Sequence, residues 1–159
     1  ESGPDGAATA YRYDRCGRLV EHRDAADGIT RVERDRAGRP VHVTHPMGST
    51  FHYEYDRCGR RAAIIDTDGS RYEIGYDADG RVVSERWPTG EQVRSRYDAA
   101  GRLVERIEPG KGTSRSGYDA AGRLIWTSDG WYGRRRFRYD AAGQLVETVN
   151  ALGGIRRVG

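Results

Sequence analysis

The chain repeats itself every 21 residues, and this period constrains its fold more than any other feature. A Tyr-Asp pair recurs at each step, with Arg in place of Tyr in the second copy, and Gly follows each Asp three positions later. A strict period of this length indicates one supersecondary unit stacked seven times. The residues that define the signature are Tyr13, Asp14, Gly17, Asp35, Gly38, Tyr55, Asp56, Gly59, Tyr76, Asp77, Gly80, Tyr97, Asp98, Gly101, Tyr118, Asp119, Gly122, Tyr139, Asp140 and Gly143.

The Asp-x-x-Gly segment of each repeat predicts a tight turn. An Asp at the first turn position accepts hydrogen bonds from backbone N–H groups a few residues further on. Gly then adopts the left-handed conformation that returns the chain into a second strand. The two residues between them vary freely, as Arg-Cys, Arg-Ala, Ala-Asp and Ala-Ala. We therefore expect a β-hairpin closed by a type I turn with a bulge at Gly.

The residues on either side of this turn predict strands. Apolar and polar residues alternate in segment 51–55 (Phe-His-Tyr-Glu-Tyr), which is typical of a strand with one buried face. After the Gly, two apolar residues usually follow an Arg, as in Leu103-Val104. A second, looser turn then closes the repeat, and we expect it to change type between repeats but not length. Seven such hairpins give about fourteen short strands.

The composition fits a thin sheet better than a dense globule. Hydrophobic residues make up 36% of the chain and charged residues 32%. The regular Tyr, Leu and Val columns argue against the disorder that such polarity otherwise favours. We predict an all-β antiparallel meander of seven 21-residue hairpins, each burying its face against its neighbours. Residues 11–159 form this single repeat domain, and residues 1–10 form an N-terminal overhang.

The Asp and Arg columns predict a ladder of charges along one rim. An exposed ion pair contributes little to stability, roughly 0–1 kcal/mol. We therefore expect these charges to keep the hairpins in register and to discourage wrong pairing.

Other sequence features bear on membrane insertion and on the extent of the chain. No apolar run is long enough to span a membrane, and we expect no signal peptide within this segment. The chain begins at Glu1 without Met, so we expect a piece of a longer protein. Cys16 and Cys58 occupy the same turn position two repeats apart. A meander separates them by about 19 Å, too far for a disulfide, and predicts two free, exposed thiols.

The sequence contains few candidates for metal-binding or catalytic residues. His42, His45 and His52 surround one turn and, with a carboxylate such as Glu54, are weak candidates for a zinc site. The competing interpretation is that they are ordinary surface histidines. Cys16 and Cys58 have no His at an offset that both share, and Ser49 lies close to His52 but not in a nucleophile elbow, so we expect no catalytic residue and no cofactor. Carboxylates that recur in every turn favour a structural role.

Two surface features bear on partners. Arg134, Arg135, Arg136 and Arg138 form the densest basic segment and could meet phosphate, but acidic residues are plentiful elsewhere and we predict no nucleic-acid partner. The tryptophans Trp87, Trp126 and Trp131 could stack on sugar rings or simply fill a thin core. Carbohydrate therefore stays open as a partner.

The signature resembles the YD repeat, also called the RHS repeat. Its Y-D-x-x-G-R-L pattern is met in full by residues 13–19, 97–103 and 118–124, and with one change by 76–82 and 139–145. In-phase copies run from Tyr11 to Val158. The second repeat departs most, with Arg34 for Tyr and Pro40 for Leu, and we expect a weaker or bent hairpin there.

The resemblance implies a function as well as a fold. Such repeats occur in Rhs and other polymorphic toxins of bacteria, in wall-associated proteins, in the C components of Tc toxin complexes and in teneurins. There a long sheet spirals into a hollow shell, which in the toxins encloses a C-terminal toxin domain. The implied function is a non-catalytic shell segment of a secreted or cell-surface bacterial protein. Its implied partners are the remaining shell repeats and the enclosed toxin domain.

An alternative function is a surface binding module that recognises carbohydrate or a protein partner. Unpaired edge strands are templates for pairing with another chain, so we also expect the isolated segment to self-associate through its edges.

Overall fold

The computed structural model describes residues 9–157, which form fifteen β-strands and no helix. Each strand is hydrogen bonded to its neighbours in sequence, in the order β1 to β15. The strands are β1 (Ala10–Tyr13), β2 (Leu19–Arg23), β3 (Ile29–Arg34), β4 (Pro40–Thr44), β5 (Thr50–Tyr55), β6 (Arg61–Ile65), β7 (Arg71–Tyr76), β8 (Val82–Arg86), β9 (Gln92–Tyr97), β10 (Leu103–Glu108), β11 (Gly112–Tyr118), β12 (Leu124–Asp129), β13 (Gly133–Tyr139), β14 (Leu145–Val149) and β15 (Ile155–Arg157). The predicted all-β antiparallel meander is confirmed.

The structure adds one strand to the expected fourteen. Strand β15 pairs with β14, with Ile155 opposite Val149, and so begins an eighth unit after the seven hairpins. Within residues 9–157, no helix has the length and apolar character needed to span a membrane.

The chain divides into two compact units, one up to Ile74 and one from Gly75. The first unit contains β1 to β6, and the second contains β8 to β15, with the division inside β7. The predicted N-terminal overhang, residues 1–10, lies almost entirely outside the described residues.

Side-chain alternation gives each unit two faces. The Tyr face carries the signature tyrosines and apolar pairs such as Val43 opposite Phe51. The Glu face carries mainly charged residues, among them Glu105, which pairs with Arg96 on β9 and Arg115 on β11. The expected alternation in segment 51–55 is confirmed, because Tyr53 lies opposite Ile64 on the Tyr face.

The core is as thin as the composition predicts. Among residues 9–157, the buried hydrophobic side chains are those of Ala63 and Val93, and Ser95 is a buried polar one. Nearly all other strand residues are half-buried or exposed. A sheet of this kind cannot derive its stability from a deep core, so contacts between neighbouring hairpins carry a larger share.

The Asp-x-x-Gly turns adopt the predicted geometry. In the turn that begins at Asp98, the Gly101 N–H donates to the Asp98 carbonyl oxygen at 2.9 Å, which closes a type I turn. Gly101 has a φ of 79°, and the ladder shifts register beside the preceding Tyr97. Each of the seven signature glycines has a positive φ, between 75° and 86°.

The looser second turns do change type, but the prediction that they keep one length is wrong. The turn between β2 and β3 has five residues, whereas only three residues, Pro109 to Lys111, separate β10 from β11. The shortening occurs because Glu108 pairs with Gly112 and extends the ladder. Gly110 and Gly112, with φ values of 72° and 79°, let the chain reverse within this shorter loop. Longer strands thus compensate for shorter turns and preserve the period.

Candidate functional site

The residues of the signature converge along the rim formed by the Asp-x-x-Gly turns. The tyrosines end the first strand of their hairpins, each Asp begins the turn, and each Gly completes it. This rim is the candidate functional site, because Asp and Gly recur there in every repeat and Tyr and Arg in all but one each.

Each signature Asp organises its own turn. In the turn of Asp98, the carboxylate Oδ1 accepts the backbone N–H groups of Ala100 at 3.0 Å and Arg102 at 2.9 Å. Its Oδ2 accepts the Nε–H of Arg102 at 2.7 Å. The same pairing of Asp with the Arg four residues later recurs at the six turns that contain this Arg. In the seventh, Gln144 donates its backbone N–H to Asp140 Oδ1 at 2.8 Å.

These contacts stabilise the ionised carboxylates. The hydrogen bond from the Arg102 backbone N–H lowers the pKa of Asp98; partial burial opposes this, and the Arg102 guanidinium adds to the lowering. The pKa values of Asp56 and Asp119 are lowered for the same reasons in the same order. For Asp35 the guanidinium of Arg39 is the largest cause.

In four of the turns the Arg also reaches the Tyr of the next repeat. The guanidinium of Arg102 lies 4.8 Å from the centre of the Tyr118 ring, and Arg123 lies 5.0 Å from Tyr139. Corresponding distances are 4.5 Å from Arg39 to Tyr55 and 5.2 Å from Arg81 to Tyr97. Each distance is within the range of a cation–π interaction.

The Tyr in turn bonds back to the preceding repeat. The Tyr118 hydroxyl donates to the Leu103 carbonyl oxygen at 3.0 Å, fifteen residues earlier. The same bond links Tyr55 to Pro40 at 2.7 Å, Tyr97 to Val82 at 3.0 Å and Tyr139 to Leu124 at 2.9 Å. Asp, Arg and the following Tyr therefore form a connected set of contacts, which we call the inter-repeat clamp.

In the second repeat, Arg34 replaces Tyr but keeps the hydrogen bond to the preceding repeat. Its Nε and Nη2 atoms donate to the Leu19 carbonyl oxygen at 3.3 and 3.0 Å, again fifteen residues earlier. Its Nη1 atom donates to the Gly38 carbonyl oxygen at 3.1 Å. The expectation of a weaker or bent hairpin is not met, because the turn keeps its hydrogen bonds and the Arg reaches the same acceptor as Tyr.

The signature glycines serve the clamp as well as the turn. A Cβ atom at Gly38 would lie 2.2 Å from Nη1 of Arg18, and one at Gly101 would lie 3.3 Å from Nη1 of Arg81. A side chain at these positions would therefore crowd the arginine that arrives from the preceding repeat.

A second set of contacts crosses three strands on the Glu face. Glu105 accepts Nη1 of Arg96 at 3.5 Å and Nε of Arg115 at 2.6 Å. Two other rows repeat this Arg–Glu–Arg arrangement: Arg12, Glu21 and Arg31, and Arg138, Glu147 and Arg157. The central glutamates are much less exposed than the arginines that flank them.

The row of the third repeat inverts these charges. Glu54 and Glu73 flank the fully buried Ala63, and Arg71 spans them. The guanidinium donates to both carboxylate oxygens of Glu54 at 2.7 Å and to Glu73 at 2.9 Å. The Arg71 guanidinium accordingly lowers the pKa of Glu54, although burial opposes it.

The weak candidates for a metal site do not converge. The rings of His42 and His52 lie 6.4 Å apart on the Glu face, while His45 packs edge-on against Phe51 at 5.7 Å. Among residues 9–157, no group of three His, Cys, Asp or Glu side chains could hold a metal ion. Cys16 and Cys58 are free and exposed, as the spacing predicts.

The sequence interpretation missed the main role of the Arg column. We expected the arginines to lie on a charged rim, whereas their guanidinium groups pack against the Tyr of the following repeat. The available signal was the constant interval of sixteen residues between each Arg and that Tyr. The three-residue Arg–Glu–Arg rows were also missed, because the Glu column is occupied in only some repeats.

Comparison with known proteins agrees with this geometry. The model of the family described as Teneurin YD-shell matches residues 5–151. No curated protein matches the chain. A structure of TcdB2-TccC3-Cdc42 is similar, with a TM-score of 0.69 and 17% identity over 90% of this chain.

Two further structures share the fold. The Tc holotoxin pore of Photorhabdus luminescens, carrying a mutated TccC3, gives a TM-score of 0.69 and 16% identity over 94% of this chain. TcdB2-TccC3 without its hypervariable C-terminal region gives 0.68 and 17% over 88%. The chain spans only 9% of the length of each of these three matched chains.

Proposed function

Since this chain belongs to the Teneurin YD-shell family and is a segment of a YD-repeat shell, we propose that in its parent protein the shell encloses a C-terminal toxin domain. The proposed function of the segment is structural and non-catalytic. It supplies part of a continuous hydrogen-bonded wall.

The observation that carries this proposal is the inter-repeat clamp. The same Asp, Arg and Tyr contacts join one hairpin to the next in both units, at nearly constant distances. Chemistry at one site needs its groups once, whereas a wall needs the same joint at every repeat. The clamp also stabilises a sheet that has almost no buried core.

The mechanism of such a wall is passive. Backbone hydrogen bonds between successive strands leave no gap along the strand order β1 to β15. A guest polypeptide behind this sheet is shielded from proteases and from the cell that makes it. Enclosure requires no cofactor and no movement of the segment itself.

The proposed partners are the further shell repeats that would pair with the sheet edges and the toxin domain that the shell would enclose. Strands β1 and β15 each have one edge without a partner among residues 9–157, and further shell repeats would pair there. In the absence of those repeats, a second copy of the segment would use the same edges. We propose a secreted or cell-surface setting in bacteria, on the basis of the likeness to Tc toxin structures.

A protection experiment tests enclosure. The full reading frame that contains this segment is expressed, and trypsin digestion of its C-terminal domain is followed with time. We expect that domain to resist digestion until the shell is unfolded, whereas the same domain produced alone is cleaved rapidly. Equal cleavage of the two forms would show that the shell does not enclose it.

A further inference from the structure

The Glu faces of the two units differ in their balance of charge. Among residues 9–157, the first unit carries as many glutamates as arginines on this face, and its four arginines are Arg12, Arg23, Arg31 and Arg71. The second unit carries eight arginines there against two glutamates, Glu105 and Glu147. Since the net charge of the whole chain is only +3, positive charge is concentrated on this one face.

Pairing with carboxylates also differs between the two units. Each of the four arginines in the first unit has a carboxylate oxygen within 3.2 Å. In the second unit, the Arg–Glu–Arg rows of Glu105 and Glu147 include four of the eight arginines. The remaining four form no ion pair within residues 9–157, and they are Arg86, Arg94, Arg134 and Arg136. These four cations lack the carboxylate that every other arginine of the Glu face has.

The missing carboxylates follow from two exchanges in the Glu column. Ser84 lies opposite Arg94, and Trp126 lies opposite Arg136. In the repeats between and after them, at intervals of 21 residues, the same position holds Glu105 and Glu147. Ser and Trp carry no charge, so the arginines beside them are left without the anion that balances their counterparts.

The unpaired guanidinium groups are exposed, and two of them are held in place. Arg94 donates through Nε and Nη2 to the neutral Gln92 side chain at 3.2 and 2.9 Å. The Arg134 guanidinium stacks on the Trp126 ring at 4.1 Å. These contacts orient both groups but do not neutralise them. A planar guanidinium binds a carboxylate through two parallel N–H donors, and a group already held loses less freedom when it binds.

The spacing of the four arginines suits an extended chain. Arg134 and Arg136 lie about 6.8 Å apart along β13, which is also the spacing of alternate side chains in an extended peptide. Arg86 and Arg94 are diagonal neighbours on β8 and β9, which places them about 7–8 Å apart. Four strand spacings, about 19 Å, separate β9 from β13. An extended segment of about six residues spans that distance.

We propose that the Glu face of the second unit binds an extended, acidic segment of another polypeptide, whose carboxylates pair with these four arginines. A carboxylate is the group that the same face binds in the rows of Glu105 and Glu147. Single-stranded nucleic acids also need open aromatic faces on which bases stack. Among the described residues, this face offers only Trp126, on which Arg134 already stacks. The binding is independent of the proposed enclosure of a toxin domain.

Fluorescence anisotropy tests the proposal with a labelled peptide of about twelve residues in which Glu and Ser alternate. A peptide of equal length with Gln in place of Glu is the reference. We expect the wild-type chain to bind the Glu peptide much more tightly than the Gln peptide, with a Kd that rises with salt. The double variant Arg94→Gln with Arg136→Gln should raise this Kd by about tenfold or more, because two charge-assisted contacts are lost.

Ser84→Glu tests the missing carboxylate directly. The new side chain gives Arg94 an anion within the chain, as Glu105 does for Arg96. We therefore expect it to weaken binding of the Glu peptide to the same extent as Arg94→Gln alone.

The double variant Arg12→Gln with Arg31→Gln is the matched control. It removes the same two charges from the Glu face of the first unit, where both arginines pair with Glu21. It should bind the peptide as the wild type does, and circular dichroism should show the same sheet content in all variants. The proposal is overturned if the Glu peptide does not bind, or if the two double variants bind it equally. It is also overturned if an oligothymidylate of equal charge or phosphatidylserine vesicles bind the wild type more tightly than the peptide does.

Discussion

The Arg102 guanidinium lies 4.8 Å from the centre of the Tyr118 ring, across the boundary between two successive repeats. The same Arg donates to Asp98 within its own turn, and the same Tyr donates to the Leu103 carbonyl. One side chain thus fixes a turn and the position of the next hairpin at once. In a sheet with so little buried surface, this double role explains why the Asp, Arg and Tyr columns recur together.

Replacing Tyr97 with Phe should destabilise the chain by about 0.5–1.5 kcal/mol, the usual net contribution of one hydrogen bond. The hydroxyl of Tyr97 donates to the Val82 carbonyl, and Phe keeps the ring that packs against Arg81. Urea denaturation measures the change. Tyr11→Phe is the control, since Tyr11 stacks on His22 and its hydroxyl has no hydrogen bond within residues 9–157. Equal losses in the two variants would contradict the role of the hydroxyl.

Arg34→Tyr should leave stability within about 0.5 kcal/mol of the wild type. A Tyr at this position can reach the Leu19 carbonyl as the other signature tyrosines reach theirs, and it offers a ring to Arg18. Arg34→Leu should cost about 1–3 kcal/mol, because the half-buried Leu19 carbonyl loses its side-chain donor. Thermal unfolding of both variants measures these changes. Similar melting temperatures for Arg34→Tyr and Arg34→Leu would show that Arg34 does not take over the hydrogen-bonding role of Tyr.

Acid should weaken the fold through the turn carboxylates. The folded-state pKa of Asp98 lies below its ordinary value of 3.8, so the unfolded chain takes up the proton first as pH falls. The stabilisation is complete above the unfolded-state pKa and is lost as pH falls through the lower, folded-state value.

Urea midpoints measured from neutral pH down to about pH 2 test this dependence. Asp98→Asn keeps an oxygen for the backbone N–H groups but cannot ionise. We expect it to be less stable at neutral pH and less sensitive to acid than the wild type. Parallel curves for the two proteins would exclude Asp98 as a source of the acid response.

Gly117→Ala should destabilise the second unit by about 1–3 kcal/mol through overpacking. Gly117 pairs with Trp126, and a Cβ atom there would lie 2.0 Å from the indole Nε1. Arg134 covers one face of this indole at 4.1 Å, so a shift of the ring would disturb that contact as well. When Trp126→Ser is already present, adding Gly117→Ala should lower the free energy of unfolding by less than it does in the wild type, because the clashing indole is gone. Chemical denaturation of the four proteins measures this, and strictly additive losses would argue against the contact.

The sequence predicted the parts of the fold that depend on local chemistry. Asp-x-x-Gly encodes its own turn, because the carboxylate bonds to nearby backbone N–H groups and only Gly accepts the required φ without strain. Alternation before each Tyr encodes the strand and its faces. The meander then follows, since consecutive short hairpins have no connection long enough to pair in another order.

Features that depend on contacts between repeats were harder to predict. The packing of Arg102 on Tyr118 joins residues sixteen positions apart, and only the strand register brings them together. The sequence pattern was defined by residue type, so Arg34 was interpreted as a departure from it. The structure shows that Arg34 donates to the carbonyl oxygen that a Tyr would reach. The second turns differ in length because the ladder can extend at Glu108 and Gly112. The curvature of the shell wall and the enclosure of a toxin domain stay predictions.

The central claim is that the clamp joins successive repeats, and a double-mutant cycle on Arg102 and Tyr118 tests it most directly. Arg102→Met, Tyr118→Leu and the combined variant are compared with the wild type by urea denaturation, which isolates the pairwise term. The account predicts that the two side chains stabilise one another by about 0.5–1 kcal/mol, the range of an exposed cation–π pair. A coupling free energy indistinguishable from zero would contradict the account.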